Sequence, residues 1–518
     1  MINNKTTIPA GNKGSVTHSA IDMLALQART QPDRLAAMDL SYGQQWSYSA
    51  FDKSVAQCAS VLLQHGINVG DRVASLAKNR VELIMLHLAC SRTGSIYVPL
   101  NWRLSPTEIA GLIEDAEPKL LFGDDYLQTI DLNRINQQQT VIESITLDQL
   151  AEEISAATPL PPAPINAELP SLILYTSGTS GKPKGVLLSE NNITETAINF
   201  SLLGKVNHHS VVLCDTPMFH VIGLVTNIRP FLMHGGSLIV SDGFVPATTL
   251  ARLADSQLAI SHYFCVPQMA EALRAEPSFN PAQLRGLTAL FTGGAPHPAA
   301  SINAWLNDGI AIVDGYGMSE VGTVFGMPLN RKLIAERAGS VGIATTRVQA
   351  RIVDVNGNDC AIGTAGELLL KGANVTKGYW RREQETLAAF TDDGWLRTGD
   401  IARCDEQGYH WLVDRRKDMF ISGGENVYPA EIEAVLAGHP QVKESAVVAR
   451  ADQRWGEVGH LYLVAQPGCE LDTDSIIAYL EQKIARYKVP KYLSLIDALP
   501  RNGAGKVLKN TLRELTDN

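Results

Sequence analysis

The segment DRVASLAKNRVELIMLHLACSRTGSIYVPLN, Asp71 to Asn101, constrains the fold more than any other. A short apolar run, a helix-length apolar pattern and a second short apolar run follow one another, which is a βαβ unit. The same alternation continues through most of the chain, so the expected class is α/β. At 518 residues there is chain for three or four units of roughly 100–200 residues. Two places break the alternation. ATPLPPAPINAELP, Ala157 to Pro170, can form neither helix nor central strand and is expected to be a linker separating two subdomains. Beyond Asp414, the runs AEIEAVLAGHP, VKESAVVA and DSIIAYLEQKIARY form a compact alternation of their own. The expected division is a large domain of residues 1–414 and a small one of residues 415–518.

Glycines, hydroxyls and two lysines are concentrated in YTSGTSGKPKG, Tyr175 to Gly185. Such a composition ordinarily marks a flexible surface turn, but Ser171–Tyr175 and Gly185–Ser189 read as buried strands that hold its ends. Successive backbone N–H groups, hydroxyls and lysine charge suit this loop to a polyphosphate. It is not a Walker loop, which needs Gly-x-x-x-x-Gly-Lys-Ser/Thr opening a helix. Here Lys182 is followed by Pro183, and Thr176 stands five residues before Gly181.

Bulk properties exclude several classes. Hydrophobic content of 45% and charged content of 19% argue against disorder. No apolar run approaches the ~20 residues of a membrane span; Val81 to Cys90 contains Glu82 and His87. The opening MINNKTTIPAGNKG lacks a signal-peptide core and is expected to be a frayed polar tail. Seven scattered cysteines, none spaced C-x-x-C, fit reduced thiols in a cytoplasm and indicate neither zinc nor disulfides. A net charge of −10 argues against nucleic acid or an anionic membrane as partner. Arg415-Arg416-Lys417 is the one tight basic run, and Asp414 and Asp418 flank it.

Five further segments carry chemistry, each weak alone. PMFHVIGL, Pro217 to Leu224, suits a pocket wall, although a histidine beside apolar residues is more often a satisfied core residue. FTGGAP, Phe291 to Pro296, lets a backbone approach something flat, or makes an ordinary turn. DGYGMSE, Asp314 to Glu320, offers an aromatic between glycines to stack a base and a carboxylate to meet a cation. WLRTGD, Trp395 to Asp400, ends in an acid able to accept two ribose hydroxyls, or in a cap. PRNGAGK, Pro500 to Lys506, puts a lysine at the tip of a glycine turn, by itself a solvated loop.

Taken in this order with the glycine loop and DRRKDMFISGGENVYPAEIE, Asp414 to Glu433, these segments resemble the adenylate-forming superfamily of acyl-CoA synthetases, 4-coumarate-CoA ligases, firefly luciferase and peptide-synthetase adenylation domains. The last segment looks most like the fatty-acyl and aryl CoA ligases, and the likeness runs from near Ile21 almost to the end. It implies a large N-terminal α/β domain of several subdomains and a small mobile α+β lid. By the same resemblance Thr176, Ser177, Gly178, Thr179, Ser180, Gly181 and Lys184 hold the ATP phosphates, and Thr176 with Glu320 holds Mg²⁺. Gly294, Ala295 and Pro296 would border the adenine. Asp314, Gly315, Tyr316, Gly317, Met318 and Ser319 form the segment whose tyrosine stacks on it. Asp400 would take the ribose hydroxyls with Arg415 nearby. Lys506 would bridge the reacting carboxylate and the α-phosphate, and His220 would line or gate the acyl site. Lys417 matches the family's hinge, and Gly423 and Gly424 would line the pantetheine arm of CoA.

The implied reaction converts a carboxylic acid, ATP and CoA to acyl-CoA, AMP and diphosphate through an acyl-adenylate. FTGGAPHPAA and DGYGMSEVGTVF carry no arginine for a second carboxylate. PMFHVIGL lacks the aspartate that amino-acid-activating relatives keep for an ammonium group. The expected substrate is therefore an apolar monocarboxylate, either a medium or long fatty acid or an aromatic acid, with the many glycines leaving room for it. The alternative is a stand-alone adenylation enzyme that loads a carrier protein in trans, and a homodimer stays open. A non-enzymatic relative would be expected to have lost Lys506 or Glu320, and both are present.

Overall fold

The computed structural model describes residues 19–131, 142–176, 183–295, 297–415, 418–422, 425–452, 455–484, 486–501 and 506–516. Arg72–Leu76, Val81–Thr93 and Ile96–Pro99 are strand, helix and strand, and the two strands pair in parallel with Arg72 opposite Ile96. The helix buries every residue from Val81 to Ser91. An amphipathic surface helix would bury one face; this one touches Ile96–Pro99 and Pro170–Thr176 of one sheet and Leu35–Asp39 of another. It is the filling between two sheets.

Among the described residues the first sheet has six strands, in the order Lys184–Ser189, Pro170–Thr176, Ile96–Pro99, Arg72–Leu76, Leu120–Gly123, Glu143–Thr146. It is parallel apart from the hairpin at its edge. The second has nine strands, with a parallel centre running from Ile312–Met318 to Leu35–Asp39. One core joins both sheets, with Val73, Tyr97 and Leu172 from the first and Ala37, Leu213 and Leu238 from the second. A four-stranded antiparallel sheet spans Val348–Val353 to His410–Arg415. Strands Phe420–Ser422, Glu425–Val427, Val442–Asp452, Gly456–Ala465 and Tyr492–Leu495 make the last sheet. Helices Pro429–Leu436 and Thr473–Glu481 bury Ile432, Leu436, Ile476 and Leu480 in a core of its own. The chain is mixed α/β, as expected.

The proline-rich stretch does not divide subdomains. Strands before and after it lie in the same sheet, with Tyr97 opposite Leu172 in parallel. Proline keeps helix and central strand out of the stretch but places no limit on which sheet the chain rejoins afterwards. Residues Ile165–Asn166 even pair with Ser19–Ala20. Among the described residues, no helix is long and apolar enough to cross a membrane.

Candidate active site

Val211–Cys214, His262–Cys265, Ala289–Thr292 and Ile312–Met318 run parallel. Their carboxyl ends therefore share one edge, which is where open α/β sheets bind ligands. The segments leading to His220 and to Gly294 leave the sheet there, and the one leading to Glu320 continues the last of these strands. Gly294 adopts φ +82°, and a Cβ added there would lie 3.6 Å from Ile222 Cδ1. One added at Gly293 would lie 3.1 Å from the Gly315 carbonyl oxygen. The expected acyl wall and adenine border thus meet.

The glycines do less to open this region than expected. A Cβ at Gly223 would sit 2.1 Å from the Pro217 carbonyl oxygen, one at Gly315 2.8 Å from that of Phe325, and one at Gly317 2.1 Å from that of Gly322. These positions are glycine because backbone already fills the space a side chain would need. At Gly294, by contrast, nothing described comes closer than 3.6 Å.

Where the nucleotide is expected, Tyr316 OH donates to Asp400 Oδ2 at 2.6 Å, and both residues are buried. Asp400 stands opposite Arg415 in the pairing of Leu396–Cys404 with His410–Arg415. Asp314 instead turns into the interior, where Thr292 Oγ1 donates to its Oδ1 at 3.0 Å. Burial pushes the Asp314 carboxyl up to about 8, against the opposing pull of Thr292 and the Gly315 N–H. Met318 and Ser319 are half-buried, as is Ala295.

Where the phosphates are expected, Thr176 pairs with Lys184 across the hairpin, and Thr176 Oγ1 donates to the Lys184 carbonyl at 3.4 Å. Lys184 Nζ lies 5.2 Å from the Tyr379 ring centre, and Tyr379 OH donates to Glu320 Oε1 at 3.0 Å. Tyr379 is stitched to the hairpin, since Leu187 N donates to Gly378 O and Trp380 N to Gly185 O. Burial, then Glu320, pushes its phenol pKa up, so it acts as a donor. Sequence reading missed Tyr379: the Gly-Tyr pair in NVTKGYW carries no signal at a distance. Glu320 and Thr176 offer hard oxygen donors, and Mg²⁺ typically takes one or two protein oxygens and keeps its waters. These donors fit the ion. The expected sites Ser177, Gly178, Thr179, Ser180, Gly181, Pro296, Lys417, Gly423 and Gly424 lie outside the described residues, as does the Arg415 side chain.

Where the acyl group is expected, the His220 ring lies tilted against that of Phe219, with ring centres 4.5 Å apart. Burial first, and the Arg103 charge second, hold its imidazole down to about 4, so it is neutral at neutral pH. Arg103 lies 5.9 Å from the Phe219 ring centre and 5.0 Å from that of Trp102. It stands outside FTGGAPHPAA and DGYGMSEVGTVF, because the loop after strand Ile96–Pro99 of the other sheet delivers it. The case against a second carboxylate does not follow from those two segments alone. Lys506 is exposed, beside the bridge that joins Arg501 to Val507.

Comparison with known proteins places this arrangement. The profile of the AMP-binding enzymes matches residues 24–380, and that of the AMP-binding enzyme C-terminal domain matches residues 431–506. A feruloyl-CoA synthase of Amycolatopsis sp is 36% identical over 469 residues, covering 90% of this chain and 93% of the relative. The long-chain-fatty-acid–CoA ligase FadD13 of Mycobacterium tuberculosis is 36% identical over 498 residues, covering 95% and 97%. The crystal structure of ATP-bound MatB from Rhodopseudomonas palustris superposes with a TM-score of 0.87 at 32% identity, covering 95% of this chain and 98% of that one. With both profiles matched in order over the two sheet systems, the chain belongs to the AMP-binding enzyme family, the adenylate-forming acid–thiol ligases.

Proposed function

We propose that this ligase, an ATP-dependent acyl-CoA ligase, activates an apolar monocarboxylate, either a medium or long fatty acid or an aromatic acid. A carboxylate resists attack because its charge is delocalised and oxide cannot leave. Its oxygen attacks the α-phosphorus of ATP, diphosphate departs, and the acyl-adenylate forms; the CoA sulfur then attacks the acyl carbon and AMP leaves. Charge spreads over the phosphoryl oxygens in the first step and must meet cations and N–H donors. Lys184 and Lys506 supply positive charge, and Mg²⁺ held by Thr176 and Glu320 would neutralise phosphate oxygens. Tyr316 and Asp400 receive the nucleoside, with Arg415 beside Asp400. The neutral His220 lines the acyl site without contributing a charge there.

The observation that carries this reading is the linkage of Lys184 to Glu320 through Tyr379. It joins the hairpin and the 315–320 segment, which come from different sheets, at one cluster suited to phosphates. The identities of the relatives support both acid classes: one is named for feruloyl-CoA and another for long-chain fatty acids. The test is ATP–pyrophosphate exchange with fatty, aromatic and dicarboxylic acids, followed by CoA-dependent AMP release. Exchange with an apolar monocarboxylate and CoA consumption is expected. Exchange without CoA use would move the acceptor to a carrier protein, and exchange confined to dicarboxylates would overturn the substrate class. Free thiols at all seven cysteines suit a reducing, cytoplasmic setting.

We place the domain boundary after Asp414. His410–Arg415 is the last strand of one sheet, Phe420–Ser422 opens the next, and Asp414 Oδ2 accepts from Ala430 N at 2.9 Å at the start of helix Pro429–Leu436. One lysine cannot stay at the phosphates while CoA approaches from its side, so the small domain turns about Lys417 between half-reactions and brings Gly423 and Gly424 to the pantetheine arm. Lys417→Pro, with φ locked, should leave pyrophosphate exchange near normal and take CoA-dependent thioester formation to background. Equal loss of both half-reactions would remove the hinge from the account.

A further inference from the structure

The wall that carries His220 is fastened from outside its own sheet. We infer that Asn79 is a positioning residue for the acyl site, an inference that rests on the ligase reading. Asn79 follows strand Arg72–Leu76 of the six-stranded sheet and is 3% exposed. Its Nδ2 donates to the Thr216 carbonyl at 2.9 Å, and its Oδ1 accepts from Met218 N at 2.9 Å. One amide thereby pairs with the peptide groups on both sides of Pro217, using a donor and an acceptor as a neighbouring strand would.

What Asn79 holds is the anvil on which the wall is folded. The Pro217 carbonyl oxygen lies where a Cβ of Gly223 would fall, 2.1 Å away, so the position of Gly223 follows from that of Pro217. Gly223 lies within a single π-helical turn, Ile222–Thr226, closed by Asn227 N donating to the Ile222 carbonyl at 2.9 Å. Asn227 Nδ2 returns to Thr216 Oγ1 at 2.8 Å, so Thr216 is held by its carbonyl from one side and its hydroxyl from the other. A π-turn is rarer than α-helix and appears mostly at functional sites; here four backbone and side-chain anchors support it. At its near end Ile222 Cδ1 is the atom closest to the vacant side-chain position of Gly294. A path of direct contacts therefore runs from Asn79 through Thr216–Met218 and Gly223 to the Ile222–Gly294 contact. Asn79 itself acts through this loop. Removing its amide leaves a buried carbonyl and a buried N–H without partners, and the loop relaxes to satisfy them.

The test uses the full chain with Asn79→Ala and Asn79→Ser, reading pyrophosphate exchange and amide hydrogen exchange. Asn79→Ala should raise KM for the acid about tenfold or more while KM for ATP stays within about twofold, a split that general destabilisation does not produce. Amide protection should fall across 214–227 and persist elsewhere. Asn79→Ser leaves a neutral hydroxyl and room for water beside the Thr216 carbonyl and Met218 N, so it should shift the same quantities less; it carries the comparison if the alanine variant does not fold. Acid and ATP constants moving together, protection lost throughout the chain, or no change in either variant would overturn the assignment. If the unmodified protein exchanges pyrophosphate with no acid, the ligase reading fails, and hydrogen exchange alone then decides the clamp: loss confined to 214–227 supports it, and uniform or absent change refutes it.

Discussion

Lys506→Ala is expected to slow acyl-adenylate formation by about 10²–10³-fold, the range for losing one donor that meets transition-state charge, with the affinities for ATP and acid nearly intact. Its placement suits the role. Lys506 is exposed, and its described neighbours are paired: Arg501 bridges Val507, and Leu508 N donates to Pro500 O at 2.8 Å. Helix Lys509–Thr516 then anchors the segment to the small domain through Leu512, which is fully buried and whose carbonyl accepts from Tyr462 OH at 3.1 Å. A long flexible side chain on a fixed base can reach a transferring group without reordering backbone. An interaction made mainly in the transition state lowers the rate without weakening ground-state binding. Pyrophosphate exchange measured beside equilibrium binding separates the two. Near-normal exchange in the alanine variant would end the assignment.

Arg229→Leu is expected to lower stability by about 3–5 kcal/mol, because breaking a buried ion pair strands the remaining charge. Glu190 is 1% exposed. It accepts from Arg229 Nη2 at 2.5 Å, from Ser171 Oγ at 2.7 Å and from Ser91 Oγ. Glu190 opens the helix Glu190–Gly204, whose N-terminal dipole favours an anion. Ser91 comes from the helix between the sheets, Ser171 from the hairpin strand, and Arg229 from the helix Arg229–His234. One carboxylate ties four elements together. His87 beside it is held down to about 3, by burial first and by Arg229 second, and stays neutral.

The sign of the pH dependence follows from Glu190. Burial opposes its charged form, but Arg229 and the hydroxyls outweigh burial and hold the carboxyl down to about 2. A depressed carboxylate contributes stability above its unfolded value of about 4.3 and loses it as pH falls through the folded value. The gap between the unmodified protein and Arg229→Leu in denaturant unfolding should therefore be full near pH 7 and shrink from about pH 5 towards pH 2. Arg229→Lys, keeping the charge, should recover much of the gap. A gap that is small at pH 7, or constant across that range, would show that the pair does not stabilise the fold.

Much of this was legible before any coordinates. The βαβ segment, the strands flanking the glycine loop and the small terminal alternation all lie where periodicity puts them, because side-chain spacing along ten or fifteen residues reports which local structure can bury them. The order of short motifs pointed to the family that both profile matches show. What sequence reading misjudged was longer-range. The proline stretch reads locally as a subdomain boundary, yet the chain returns to the sheet it left. Glycines taken as open space are sites where another backbone passes.

By itself the sequence determined the α/β class, the two strands that flank the glycine-rich segment and the family to which the chain belongs. Tertiary structure alone decided that Tyr379 joins Lys184 to Glu320, that Tyr316 meets Asp400, that Arg103 stands by Phe219, and that Asn79 braces the loop of His220. Local geometry depends on near neighbours and is written in spacing. Contacts between residues 59 or 84 positions apart depend on which sheet edge each strand joins, and that choice is made by burial summed over the whole core, which leaves no mark in any short stretch.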